Sequence, residues 1–310
     1  MLVKVPSFAK LNLDLRVLHR RPDNFHELRS IFQTISLKDT LRIEFDFTKR
    51  KTQIDLSSSI DIADNLVVRA ARLVLEQIKV KAWVRFALTK QIPMGAGLGG
   101  GSSNAAAVLL ALPALAGKRV PMPELVRFAE MLGSDVPFFL YGGTALGIGR
   151  GTELYPLPDL PAYHVLVVST GVHVSTAQAY QGLNRDVTNA LTSQASSPIL
   201  REFQTISWNL ANSRLEQLPL KNDFETVVFH QHPNLAAVVR KLRRAGATCA
   251  MMTGSGSAIF GVFSTQAEAQ QAAQRFPAGQ AFRVRFVNRA QYRQHWLRAL
   301  GPAAEKSCFA

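Results

Sequence analysis

Residues 93–104 read Pro93-Met94-Gly95-Ala96-Gly97-Leu98-Gly99-Gly100-Gly101-Ser102-Ser103-Asn104, with five glycines in the seven positions from Gly95 to Gly101. Before them, Val84, Phe86 and Leu88 alternate with Arg85 and Thr89 in the period-two pattern of a strand, which Pro93 would end. After them, the Ala/Leu-rich run Ala105 to Leu112 reads as a buried helix. A glycine loop between strand and helix lets backbone N–H groups approach an oxyanion, and the helix N-terminus adds unpaired donors and a positive dipole end. That many glycines cost too much chain entropy for a mere connection, so the stretch from Pro93 to Ser103 is expected to cradle phosphate.

Three phosphate loops compete for this stretch. The Walker pattern ends in Gly-Lys-Ser/Thr, and no lysine follows these glycines before Lys118. Gly95, Gly97 and Gly100 satisfy G-x-G-x-x-G, but a dinucleotide fold wants an acid about 20 positions on, and the first after Gly100 is Glu124. The protein-kinase loop links two strands and goes with His-Arg-Asp and Asp-Phe-Gly motifs that this sequence lacks.

Beyond the loop, 310 residues suggest roughly two domains at about 150 residues each. A composition of 47% hydrophobic and 19% charged residues excludes wholesale disorder. Two cysteines, Cys249 and Cys308, exclude a disulfide framework and a multi-cysteine zinc site and fit a reducing, cytoplasmic setting. Lys4, Pro6, Lys10 and Asp14 interrupt any leader-like apolar run. The most apolar stretch, 105–116, is far short of the ~20 residues needed to span a bilayer. A formal charge of +14 suggests an anionic partner, from nucleic acid to a nucleotide substrate.

Leu41, Ile43 and Phe45 alternate with charged residues as a strand, and a polar stretch from Lys49 to Ser59 follows. Asp64 or Asn65 can cap a helix carrying Leu66, Ala70, Leu73, Val74 and Ile78, and Glu124 to Leu132 reads as another. Pro156, Pro158 and Pro161 place a boundary near 155. Past it come a strand at Val165–Val168 and helices at Thr176–Leu183, Phe224–Val228 and Leu235–Ala245. A strand at Ala258–Phe263, a helix at Gln266–Arg275 and a strand at Phe282–Val287 complete the half. Strands and helices mixed without regular alternation favour α+β.

The loop, written P-x-G-A-G-L-G-G-G-S-S at the start of a helix, resembles the second motif of the GHMP small-molecule kinases. Two further segments agree. Pro6-Ser7-Phe8-Ala9-Lys10-Leu11-Asn12-Leu13 stands near the start, followed by Arg21-Pro22-Asp23-Asn24-Phe25-His26-Glu27-Leu28. Thr253-Gly254-Ser255-Gly256-Ser257 is similar to the third motif. The N-terminal pair, with Gly133-Ser134-Asp135-Val136-Pro137-Phe138-Phe139 and Asn222-Asp223-Phe224-Glu225, resembles the branch that phosphorylates 4-diphosphocytidyl-2-C-methyl-D-erythritol. That branch usually has Asp-Gly-Tyr-His where this chain has Asp23-Asn24-Phe25-His26, so the aromatic face is kept and the phenol hydroxyl lost.

The resemblance implies an α+β, two-domain GHMP kinase fold, with a ribosomal protein S5-like N-terminal domain and a ferredoxin-like C-terminal domain. Residues 1–155 would bind ATP, and residues 156–310 would form the substrate-binding domain with a basic C-terminal extension. It further implies an ATP- and Mg²⁺-dependent phosphotransferase acting on an alcohol in the non-mevalonate isoprenoid pathway, as a monomer or homodimer with no membrane association. Lys10 and Asp135 would be catalytic. A carboxylate is a weak base for an alcohol, so Asp135 would orient the hydroxyl and take its proton late, with Lys10 stabilising charge beside it. Pro93 to Ser103 would hold ATP, with Ser102 or Ser103 a Mg²⁺ ligand, although serine is equally an ordinary cap there. Asn12, Phe25 and His26 would bind the alcohol substrate, and His173 and Tyr180 would face the same pocket.

Rival readings are mevalonate or homoserine kinase. Homoserine kinases generally lack the aspartate, and mevalonate offers no base for Phe25 and His26. From another class, Arg283, Arg285, Arg289, Arg293 and Arg298 with Phe286, Tyr292 and Trp296 give some footing to a nucleic-acid-binding protein, which a solvated basic helix explains as well.

Overall fold

The computed structural model describes residues 1–60, 62–183, 193–210 and 212–309. Two long antiparallel strands, β1 (Leu2–Arg20) and β2 (His26–Phe47), organise the molecule. From Ala9 to Val17, β1 alternates strictly between apolar Ala9, Leu11, Leu13, Leu15 and Val17 and polar Lys10, Asn12, Asp14 and Arg16. Such alternation ordinarily leaves one face wet. Here Lys10, Asn12 and Arg16 are each 3% exposed and Asp14 is 0% exposed, because Asp135, Phe32 and the glycine loop cover Lys10 while Thr253, Pro219 and Lys221 from the second half meet Asn12, Arg16 and Asp14.

The other edge of β2 is shared. Its residues 40–47 pair with β4 (Ala82–Thr89) and its residues 28–33 with β5 (Thr144–Gly149). Strand β3 (Gln53–Ser58) runs parallel to β4, and β6 (Glu153–Pro156) antiparallel to β5. β3 lies in the stretch read as a polar connection; one of its faces is exposed, so it lacks the apolar run that would announce a strand. Helix α1 (Leu66–Gln77) is capped by Asn65, whose side chain accepts from the Val67 amide. Helix α2 (Gly100–Leu115) is buried at every residue from Ser103 to Leu115, as its all-round apolar sequence requires. α3 (Met122–Leu132) and the single turn α4 (Phe138–Tyr141) complete the first lobe.

The second sheet has strands β7 (His164–Val168), β8 (Cys249–Met252), β9 (Ile259–Phe263) and β10 (Ala281–Arg285) in the antiparallel order β10-β7-β9-β8. Helices α5 (Thr176–Gly182), α6 (Ser193–Asn209), α7 (Phe224–Gln231) and α8 (Pro233–Arg244) lie between β7 and β8, and α9 (Gln266–Ala273) between β9 and β10. Numbered within the sheet, that order is 4-1-3-2, the split β-α-β of a ferredoxin-like domain. β1 ties the two halves together: Ala9, Leu11 and Leu13 share a core with Val165, Val167 and Phe260, and Leu15 and Val17 share the next with Leu166 and Val168.

The C-terminal segment departs from a simple division at 155. Helix α10 (Arg289–Leu300) returns to the first lobe, where Tyr292, Trp296 and Leu300 join the core around α2 and the Tyr292 hydroxyl donates to the Phe139 carbonyl. Residues 287–309 thus pack on the lobe opposite to the one expected of residues 156–310, because their aromatic side chains find apolar burial only there. Phe286, Tyr292 and Trp296, the aromatics interleaved with the terminal arginines, are each 1% exposed and offer no stacking surface to a base.

Candidate functional site

A cavity of about 1060 Å³ opens between the two halves. The glycine loop forms one wall by alternation. Gly95, Gly97 and Gly99 have left-handed φ of +64°, +77° and +71° and line the cavity, whereas the intervening Ala96 and Leu98 are 2% and 1% exposed and anchor the loop in the core. At Gly97 the absence of a side chain is compulsory, because a Cβ would stand 2.3 Å from the Thr253 carbonyl oxygen. The loop is also stitched from both sides: the Ala258 amide donates to the Ala96 carbonyl at 3.1 Å, and the Lys10 amide to the Leu98 carbonyl at 3.0 Å.

Helix α2 starts at this wall with Gly99 as its cap, with no side-chain capping bond and no acidic residue in its first turn. Its first turn therefore carries no anion of its own, and Gly99 and Ser102 bring it to the cavity wall. Ser102 lines the cavity; Ser103 is 2% exposed and does not, nor do Pro93, Met94, Ala96, Leu98, Gly100 and Gly101. Neither serine is the cap.

Opposite the loop, Lys10 Nζ donates to Asn12 Oδ1 at 2.6 Å and lies 3.3 Å from Asp135 Oδ2 and 5.4 Å from the centre of the Phe32 ring. Asp135, on the turn before α4, is 36% exposed at its side chain, so the pair joins a buried cation to a carboxylate that solvent and substrate can reach. Asn12 is held by several bonds. Its Oδ1 accepts from Lys10 and from Thr253 Oγ1 at 3.4 Å, its Nδ2 donates to Ser30 Oγ at 2.7 Å, and its backbone amide donates to Thr253 Oγ1 at 2.9 Å. Asn12 lines the cavity, and its Nδ2 carries a second N–H beyond the one given to Ser30.

The β1–β2 turn supplies the third group. Asn24 has φ +66°, a left-handed conformation that asparagine tolerates better than most residues, so the turn keeps the backbone a glycine would give. Phe25 remains 47% exposed. His26 stacks on Tyr180 with ring centres 4.5 Å apart at 20°, and Tyr180 meets Phe224 edge-on at 4.8 Å. Burial and the negative charge of Asp135 push the Tyr180 phenol up to about 12, so it stays protonated at neutral pH. Burial, with the cations Arg20 and His19 nearby, holds His26 below its ordinary value and favours the neutral ring. His173 also lines the cavity, its Nδ1 3.4 Å from where a Cβ at Gly95 would lie.

Several residues at or behind the cavity lie outside the expected site set, and of these only Asn222 falls in a segment that carries the family resemblance. Arg20 and Arg150 line it near Phe25. Asn222 Nδ2 donates to the carbonyls of Met252 at 2.9 Å and Gly254 at 2.8 Å, shaping the turn that faces Gly97. Behind the loop, Asp39 is 0% exposed and its Oδ1 accepts from the amides of Gln91 at 2.7 Å and Ile92 at 2.8 Å. Its Oδ2 pairs with Lys90 Nζ and accepts from Asn104 Nδ2 at 3.0 Å, clamping the strand that enters the loop to the helix that leaves it. Among the described residues no helix is long and apolar enough to cross a membrane.

The model of the GHMP kinases N terminal domain matches residues 65–143, and that of the GHMP kinases C terminal domain residues 199–280. A 4-diphosphocytidyl-2-C-methyl-D-erythritol kinase of Solibacter usitatus (strain Ellin6076) is 54% identical over 294 residues, covering 95% of this chain and 92% of its own. That of Thermosipho africanus (strain TCF52B) is 39% identical over 261 residues, covering 83% of this chain and 90% of its own. A crystal structure of 4-(cytidine 5'-diphospho)-2C-methyl-D-erythritol kinase superposes with a TM-score of 0.74 at 34% identity, over 91% of this chain and 98% of that one. The chain belongs to the GHMP kinases, and within them to the 4-diphosphocytidyl-2-C-methyl-D-erythritol kinase family.

Proposed function

We propose that this chain transfers the γ-phosphoryl group of Mg·ATP to the 2-hydroxyl of 4-diphosphocytidyl-2-C-methyl-D-erythritol, giving the 2-phosphate and ADP for isoprenoid synthesis. The observation that carries this is the Lys10–Asp135 pair, 3.3 Å apart, in one cavity with the N-terminus of α2 and the Phe25–His26–Tyr180 cluster. The glycine wall and the free first turn of α2 hold the triphosphate. Asp135 orients the alcohol and takes its proton as the O–P bond forms, and the Lys10 ammonium stabilises negative charge on the phosphoryl and alcohol oxygens.

Asn12 serves this chemistry by holding Lys10 through its Oδ1, and its second Nδ2 N–H is the donor for a substrate hydroxyl. Phe25, His26 and Tyr180 take the cytosine by stacking and by hydrogen bonds from neutral ring nitrogens. The Ser102 hydroxyl is an oxygen donor of the kind Mg²⁺ accepts, and a Mg²⁺ ion held there would neutralise triphosphate charge. The lobe of residues 1–155 supplies the ATP wall, and residues from both halves meet the alcohol. ATP supply fits a cytoplasmic reaction, in a monomer or homodimer.

Incubation with ATP, Mg²⁺ and each candidate alcohol, followed by ADP release, tests the reading. Turnover of the diphosphocytidyl alcohol is expected; turnover of mevalonate or homoserine in its place overturns it.

A further inference from the structure

The arginines of the C-terminal segment are used unequally. Arg289 donates from Nη2 to the Thr144 carbonyl and Arg293 from Nη2 to the Phe309 carbonyl, which fastens α10 and the tail to the first lobe. Among the described residues, Arg283 reaches a neutral partner, Gln270 Oε1 at 3.0 Å, and the Arg285 guanidinium makes no hydrogen bond or ion pair. Both line a second cavity, of about 640 Å³, which shares no residue with the first. It opens where β10 parts from β2, beside the point at which the Arg285 amide donates to Ser36 Oγ at 3.1 Å. Lys38 from β2 and His164 from β7 complete its basic lining, and among the described residues no Asp or Glu lines it. Glu268, on the helix beside it, is turned to its own cap, where Oε2 accepts from the Thr265 amide at 3.1 Å.

Burial lowers the His295 imidazole from its ordinary value, and Lys38, Arg298 and Arg285 lower it further with no acid acting against them. Positive groups from β2, β10 and α10 thus meet at this junction of the two halves without a counter-charge. A concave surface that gathers cations focuses a positive potential and favours an anion small enough to enter. Nucleic acid is served poorly, because the interleaved aromatics Phe286, Tyr292 and Trp296 are buried. Leu37 and Phe282, both half-buried, line the same cavity and offer apolar surface beside the cations.

We propose that this second cavity binds a small organic diphosphate, held by Lys38, Arg283 and Arg285 at its phosphates and by Leu37 and Phe282 at its carbon group. Paired guanidinium N–H donors match phosphate oxygens, and those of Arg285 are unspent. Lys38 belongs to the first lobe and the arginines to the second sheet, so the bound diphosphate bridges the halves outside the catalytic cavity.

The test uses the full-length chain with its glycine loop filled by Mg²⁺ and a non-hydrolysable ATP analogue, titrated calorimetrically with n-hexyl diphosphate and with inorganic pyrophosphate. n-Hexyl diphosphate should bind at a single site, more tightly than pyrophosphate. Arg285→Gln and Lys38→Gln should each weaken both probes about tenfold, as for the loss of a charge-assisted hydrogen bond, and leave binding of the ATP analogue unchanged. Phe282→Ala should weaken n-hexyl diphosphate alone, and Lys38→Gln serves by itself if the other variants do not fold. Absence of binding, unchanged binding in the charge variants, or equal binding of the two probes by the wild type overturns the proposal. A short single-stranded RNA that binds more tightly than either probe, and is weakened by the same variants, makes this surface a nucleic-acid interface and overturns it as well.

Discussion

Replacing Gly97 by Ala should cost stability and catalysis by separable amounts. Its φ of +77° is a left-handed conformation, in which a residue with a Cβ pays about 1–2 kcal/mol. The Cβ would also stand 2.3 Å from the Thr253 carbonyl oxygen, where ordinary contact begins at 3.4 Å. The glycine wall and the 253–257 turn must then part by about 1 Å, and a misplacement of that size in a positioning element costs roughly 100-fold in rate. Gly117→Ala is the control, since Gly117 has φ +66° but nothing within 4 Å of its Cβ position. Both variants should lose a few degrees of thermal midpoint to backbone strain, at roughly 2–4 °C per kcal/mol. Only Gly97→Ala should lose kcat/KM for ATP, by about two orders of magnitude. Calorimetric melting and steady-state kinetics decide it: if Gly97→Ala matches Gly117→Ala in both, the contact with Thr253 does not position the loop.

Asp135→Asn should lower kcat by about 10²–10⁴-fold with ATP affinity retained, as for loss of a positioned proton acceptor; a wild-type kcat in this variant removes Asp135 from the mechanism. Asp39→Ala would strand the Lys90 ammonium, 3% exposed at its side chain, and should destabilise the chain by about 3–5 kcal/mol. Denaturant titration measures this, and a double replacement with Lys90→Met should cost less than the sum of the single changes. Burial, only partly offset by Arg16 and the Lys221 amide, pushes Asp14 up from 3.8 to about 6. The folded chain then holds a proton that the unfolded chain has released, so this group's contribution to stability falls as pH rises from about 4 to 6. Thermal midpoints of wild type and Asp14→Asn across that window should diverge as pH rises, and parallel curves would refute the shift.

Much of the fold was legible where an element meets one kind of neighbour. Amphipathic α1, α3 and α8 and the alternating β4 carry their burial in their own periodicity, and the expected helices and strands fall within a few residues of those observed. β3 and α10 were not legible as parts of the first lobe. One presents an exposed face, and the other is rich in arginine while its buried Tyr292 and Trp296 pack on a partner far away in the chain.

The glycine loop and the GHMP segments determined by themselves that this chain handles phosphate, because a run of residues without side chains next to a helix start has one chemical use that repays its entropy. Local pattern stops at the polar face of β1. Lys10, Asn12, Asp14 and Arg16 read as a wet strand face, and only the covering by distant residues of both halves makes that face the dry floor of a site. The closeness of Lys10 to Asp135, the clamp of Asp39 on Lys90 and Asn104, and the guanidinium of Arg150 over Phe25 are likewise tertiary facts. Each joins groups many residues apart, and a charge acquires its chemistry from the dielectric and the partner that folding brings to it.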